Sequence, residues 1–211
     1  EGGEPSGGMR ILFVTQWFDP EPAFKGLAFA KALRAAGHDV QVLTGFPNYP
    51  EGNLYPGFRM RPLLRERHDG IEVVRVALYP NHDRSAFRRV LNYLSFAATA
   101  STLGLLAARR PAVVYVYLPP ATSMAPALLS RLLRGTPFVL DVQDLWPDTV
   151  AATGMLRNRL ALSVLGGACR AVNIMSYRDY SYPGNTQVFQ QAHQFALAFR
   201  IEVSRGFIKQ Q

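Results

Sequence analysis

Two short segments of the chain concentrate carboxylates beside aromatic and apolar residues: QWFDPEPAFKG, with Asp19 and Glu21, and QDLWPDT, with Asp144 and Asp148. Carboxylates in such loops accept hydrogen bonds from hydroxyls, the chemistry needed to hold a sugar. Lys25 and Gly26 stand at the opening of a helical pattern, where backbone N–H groups and the helix dipole favour an anion such as phosphate. A third segment supplies Asn48 and Tyr49 as neutral hydrogen-bonding groups, and Trp17, Phe18, Tyr49 and Trp146 offer flat apolar faces to a sugar ring. A plainer reading stays open beside this one. Asp after a strand is often a helix cap or a turn residue, and Trp146-Pro147-Asp148 has the form of a helix start.

Other chemistries lack their residues. His38, His68, His82 and His193 are dispersed along the chain, so neither a histidine metal site nor a triad is expected. The single cysteine, Cys169, excludes a disulfide within the chain and a metal site built on cysteine spacing. No G-x-G-x-x-G, P-loop or G-x-S-x-G segment occurs, so dinucleotide, kinase and hydrolase readings lack their motifs.

The elements that position these loops read as alternating strands and helices. Residues 10–15, 39–44, 71–78, 113–118 and 136–142 are short apolar runs rich in branched side chains, the pattern of buried parallel strands. Residues 24–36 form a helical stretch ending at Gly37 as a left-handed cap, and a second helix covers 122–133. Asp69-Gly70 marks a turn before the strand at 71–78. Residues 45–59 carry three prolines and three glycines, which excludes helix and interior strand and leaves a long, function-bearing loop. A closing helix is expected at 157–172. The alternation predicts an α/β fold, a Rossmann-like parallel sheet with helices on both faces. In such sheets ligands sit outside the carboxyl ends of the strands, where all three loops fall.

The expected organisation is a Gly-rich leader at 1–8, one domain at 9–172, and an atypical tail at 173–211 that holds QVFQQAHQ and shows no strand–helix–strand unit. Of the 211 residues, 48% are apolar and 18% charged, enough to bury a core and too few charges for a disordered chain. The net charge of +8 draws polyanions. No nucleic-acid-binding signature accompanies it, which leaves anionic membrane and phosphate-bearing ligands. Residues 90–108 carry no charge over nineteen positions and are bracketed by arginines. A membrane span, a buried fold helix, and a fold helix that touches a membrane surface are all consistent with that segment.

Taken in order, TQWFDPEP, LAFAKALRAAGHDVQVLTGFPNYPEGNLYPGFR, LNYLSF, VQDLWPD and ATGML resemble the bacterial family 4 glycosyltransferases, nearest to the N-acetylfucosaminyltransferase-like subgroup of O-antigen, capsule and exopolysaccharide assembly. The resemblance covers residues 10–172. It implies the N-terminal, acceptor-side half of a GT-B fold, in which two Rossmann-like halves face across a cleft and the other half binds the nucleotide-sugar through glutamates eight positions apart. It implies transfer with retention of configuration, without a bound metal, from a UDP-linked sugar to a lipid-linked or glycan acceptor. The protein would then be cytoplasmic and peripheral at the inner face of the bacterial plasma membrane.

Carried onto this chain, Lys25-Gly26 match the glycine-containing loop that approaches the donor phosphates, with one glycine where many relatives have two. Pro47, Asn48 and Tyr49 match the acceptor-side loop. Gln143-Asp144 match the position where many relatives carry His-Asp near the reacting sugar; Gln143 cannot titrate, so Asp144 is the catalytic candidate. None of Glu21, Glu51, Glu66, Glu72 and Glu202 lies eight positions from another. The resemblance therefore leads one to expect a chain without its donor half, inactive alone, with a non-catalytic binding or regulatory remnant as the alternative.

Overall fold

The short branched runs become buried strands because each must hide apolar side chains on both faces. The computed structural model describes residues 8–141 except 82–84 and 119. Strands β1 (Arg10–Val14), β2 (Asp39–Gly45), β3 (Leu63–His68), β4 (Ile71–Val76), β5 (Val113–Tyr117) and β6 (Phe138–Asp141) form one sheet in the order β3-β4-β2-β1-β5-β6. All neighbours are parallel except β3 and β4. From β1 the chain builds outward through β2 to β4 on one side and through β5 to β6 on the other. The switch point of this Rossmann-like sheet thus falls between the carboxyl ends of β1 and β5.

The strand β3 was not expected. Its charged sequence LLRERH hides the signal, but it pairs antiparallel with β4 through Asp69-Gly70, both at positive φ (48° and 79°). Two consecutive positive φ values make the tight hairpin turn for which Asp-Gly is suited.

Helix α1 (Leu27–Ala35) covers one face of the sheet, where Phe29 meets Phe13 and Tyr115 with ring centroids 5.3 and 5.1 Å apart. It starts three residues later than expected, because the carboxylate of Asp19 takes the Leu27 N–H at 2.6 Å and defines the first turn. It ends as read. Gly37 N donates to Arg34 O and His38 N to Leu33 O, with Gly37 at φ 92°, the glycine-closed pair of bonds that satisfies the last carbonyls.

The other face carries α2 (Ala86–Thr99), which continues through a π-helical turn (Ala100–Gly104) into α3 (Leu105–Ala107), and α4 (Ala125–Arg134), entered by a 3-10 turn (Ala121–Met124). Phe96, Ala100, Leu105 and Ala127 pack there with Leu12, Val14, Leu43, Val74 and Val116. Gly104 lies against Leu43: a Cβ on it would come within 2.7 Å of that side chain, so the helix approaches the sheet where only hydrogen fits. The segment at 90–108 is therefore a fold helix with one buried face. The expected helix at 157–172, Cys169 and the tail at 173–211 lie outside the described residues.

Candidate functional site

The loops after β1, β2 and β4 meet at the carboxyl edge of the sheet, and buried polar groups lock them together. Glu21, 3% exposed, accepts from three main-chain amides: Asn48 N at 2.7 Å and Tyr49 N at 2.8 Å on Oε1, and Phe18 N at 3.2 Å on Oε2. Burial pushes its carboxyl up to about 7, against the pull of those N–H groups and the charge of Arg75. Arg75, the last but one residue of β4 and fully buried, donates from Nε to Glu66 at 2.5 Å, from Nη1 to Gly45 O at 3.1 Å and from Nη2 to Asp19 O at 2.5 Å. A buried charge must be paired and hydrogen-bonded to be tolerated. Here the satisfied guanidinium ties β4 to the end of β2 and to the loop that follows β1. Desolvation works against the ionised form of Glu66, but His68 and Arg75 hold its pKa below the ordinary value.

A chain of buried amides lies beside this arginine. Gln16 Nε2 donates to Asn92 Oδ1 at 2.6 Å, and Asn92 Nδ2 donates to Asn48 Oδ1 at 3.2 Å and to Tyr79 O at 2.7 Å. Asn48 Nδ2 in turn donates to Phe46 O at 2.9 Å. Two main-chain carbonyls, which can only accept, fix which end of each asparagine is the donor. Above the amides, Trp17 lies tilted on Tyr49 with ring centroids 4.7 Å apart and edge-on to Tyr93 at 6.5 Å. Trp17, Tyr49 and Tyr93 are only part-buried, so this aromatic group faces outward from the sheet edge.

The charged residues expected to hold ligand have other partners. Asp19 caps α1, and a Cβ on Gly26 would come within 2.2 Å of its carboxylate, so Gly26 is needed for that close approach. The helix N-terminus expected to take a phosphate at Lys25-Gly26 is thus filled by a carboxylate of the chain itself. Lys25, 3% exposed, turns inward: its Nζ donates to Tyr115 Oη at 3.0 Å and forms an ion pair with Asp141. Tyr115 Oη also donates to Asp141 at 2.8 Å, and burial followed by the Asp141 charge holds its phenol far above the ordinary value, so it stays protonated. Glu21 likewise serves the loops.

Of the expected binding residues, Asn48 and Tyr49 are brought together with Trp17 and Glu21 holds their backbone, while Asp19 and Gly26 form the start of α1 and Lys25 pairs with Asp141. Gln143, Asp144, Trp146 and Asp148 lie outside the described residues. Asp141, at the end of β6, stands two positions before Gln143. Gln16, Arg75, Asn92 and Tyr93 were not foreseen. For Arg75 the signal was a charge inside the apolar run VVRV; for Asn92 it was a polar residue at core spacing from Phe96 and Ala100. Among the described residues no group of three His, Cys, Asp or Glu side chains could hold a metal ion.

Residues 27–173 match the family described as "Glycosyl transferase 4-like domain". No curated protein matches the chain. Among solved structures, the catalytic domain of starch synthase IV from Arabidopsis thaliana, bound to ADP and acarbose, is similar with a TM-score of 0.43 and 15% identity. The match covers 63% of this chain and 33% of that one.

Proposed function

The chain belongs to the glycosyl transferase 4-like family, and from that premise we propose that it forms the acceptor-side half of a retaining GT-B glycosyltransferase. The donor is a nucleotide-sugar, UDP-linked, and the acceptor a lipid-linked or glycan saccharide of bacterial surface polysaccharide, such as O-antigen or exopolysaccharide. The subgroup is the N-acetylfucosaminyltransferase-like one. The site of action is the cytoplasmic face of the plasma membrane, where the protein is peripheral and meets anionic lipid.

The observation that carries this reading is the aromatic group Trp17, Tyr49 and Tyr93, beside a buried amide network at the carboxyl edge of the sheet. A sugar ring has one apolar C–H face and a rim of hydroxyls. Flat aromatic faces beside fixed polar groups match both. The lower layer, Glu21, Arg75 and Asn92, holds the loops in place before any ligand arrives, so little ordering is left for binding to cost.

In this reading Asp144 is the group near the reacting sugar, beside Gln143. The transferring carbon gains positive character, and a carboxylate fixed nearby stabilises it. The experiment is Asp144→Asn in the full protein, with transfer of label from a UDP-sugar to a lipid-linked saccharide as readout. Turnover falls at least about a hundredfold, roughly 2.7 kcal/mol of barrier, with little change in melting temperature. Near-normal turnover would assign Asp144 to structure.

A further inference from the structure

We propose that a cavity at the outer end of the same sheet edge binds an anionic sugar, one bearing a carboxylate or a phosphate ester, an inference that rests on the reading above of a saccharide acceptor. The cavity measures about 440 Å3 and is lined by Gly57, Phe58, Arg59, Arg61, Leu64 and Glu66. That size is within the range of small-ligand clefts. It lies where the chain passes from the loop after β2 into β3. Leu64 of β3 pairs with Arg75, one residue from the carboxyl end of β4, so the cavity belongs to the sheet edge that also holds Trp17 and Tyr49.

The loop that forms the cavity is braced from within. Gly52 N donates to Asn48 O at 2.6 Å, Tyr55 N to Pro47 O at 3.1 Å and Tyr55 Oη to Tyr49 O at 2.8 Å. Phe58 N donates to Tyr55 O at 3.1 Å and closes a turn with Pro56 second and Gly57, at φ 88°, third. Proline followed by a residue at positive φ is what such a turn requires. The bonds from Tyr49 through Tyr55 to Phe58 therefore fix the cavity relative to the aromatic group. The Phe58 ring is held in turn, edge-on to Phe46 at 6.4 Å and with the buried guanidinium of Arg75 over it at 5.1 Å.

The charges of the cavity do not cancel. Glu66 is already neutralised: Arg75 donates to it at 2.5 Å, and His68 Nε2 lies 2.9 Å away. Arg10, Arg65, Arg75 and Arg109 each have a carboxylate partner. Arg59 and Arg61 are exposed, and among the described residues neither has a hydrogen bond or an ion pair. A guanidinium is a planar fork of donors that matches the oxygens of a carboxylate or a phosphate. Phe58 and Leu64 add an apolar surface for the C–H face of a sugar ring. A neutral sugar would leave the arginines unused, and a bare ion would leave the apolar surface unused. A saccharide with one ring on Trp17 and Tyr49 and an acidic neighbour at Arg59 and Arg61 is thus selected over its neutral counterpart.

The test titrates the full chain at neutral pH with glucose, glucuronate, glucose 6-phosphate and inorganic phosphate, and follows the amide shifts of Gly57, Phe58, Arg59 and Leu64. Glucuronate or glucose 6-phosphate is expected to give saturable shifts, with an affinity at least about tenfold above that of glucose. The tighter of the two names the anion. An Arg59→Gln/Arg61→Gln variant should lose this preference. Both positions are exposed, so the variant keeps its fold, which circular dichroism verifies. Glucose binding as tightly as the sugar anions, or a variant that keeps the preference, would overturn the proposal. So would inorganic phosphate binding as tightly as the sugar anions, since the cavity would then hold an ion only. The Trp17 indole is read separately with neutral saccharides. Cavity amides that respond to the sugar anions while Trp17 responds to no saccharide support the cavity and remove the acceptor reading. The reverse pattern removes the cavity and leaves that reading standing.

Discussion

Glu21 Oε1 sits 2.7 Å from Asn48 N and 2.8 Å from Tyr49 N, so a carboxylate in the loop after β1 fixes the backbone of the loop after β2. Removing it leaves those amides, and that of Phe18, without their acceptor. Glu21→Ala should lower stability by about 2 kcal/mol or more. The loss should be local first: hydrogen exchange at Asn48 and Tyr49 should quicken while the amides of β1 and β2 keep their protection. Unchanged exchange at both residues would remove Glu21 from this role.

Burial raises the same carboxyl from 4.5 to about 7, and the sign of the consequence follows. A raised folded-state pKa means that the fold favours the protonated form. The stability so gained is fully present below about pH 4.5 and is lost as pH rises through about 7. The loss is on the order of 3 kcal/mol. Melting curves of the wild type and Glu21→Gln should diverge steadily across that window and run parallel above it. The amide also introduces a constant offset, because its NH2 cannot accept from a backbone N–H, so the slope of the difference is the diagnostic quantity. A difference independent of pH would contradict the shift.

Lys25 and Asp141 form a buried ion pair completed by Tyr115. Removing one partner strands the other charge: Lys25→Met should cost roughly 3 kcal/mol. Lys25→Met/Asp141→Leu should recover much of that loss. Additive losses in the double variant would show that the pair is not coupled.

How much of this was legible beforehand depends on what each residue does. The strands were plain because a fully buried strand must be apolar on both sides, as Ile11–Val14 and Val113–Val116 are. The loops at the sheet edge were located by proline and glycine alone, since no regular element accommodates 45–59. β3 was hidden because an edge strand exposes charge: Arg65 and Arg67 face solvent, and only Asp-Gly announced the hairpin. Glu21 and Lys25 looked like ligand groups because their type is visible in the sequence and their burial is not. Their partners lie 27 and 116 residues away. Asn92 looked like a dilution of an apolar helix for the same reason; its partners Gln16 and Asn48 come from other loops.

Asn92 is a further point of attack. Asn92→Leu keeps the volume and removes the acceptor of Gln16 and the donor to Asn48 and Tyr79. The polar groups left buried should cost about 2 kcal/mol, and the indole resonance of Trp17 should broaden as the loops loosen. A variant as stable as the wild type, with a sharp indole signal, would show that the network does not hold the site.

The most direct test of the acceptor site is the chemical shift of the Trp17 indole during titration with lipid-linked and soluble surface-polysaccharide saccharides. Trp17 is part-buried and stacked on Tyr49 with ring centroids 4.7 Å apart. A saccharide seated on this pair should give saturable shifts at Trp17, and Tyr49→Ala should weaken the affinity at least about tenfold, the loss of roughly 1.4 kcal/mol of ring contact. An indole that does not respond to any saccharide, or an affinity unchanged in Tyr49→Ala, would contradict an acceptor site at this edge of the sheet.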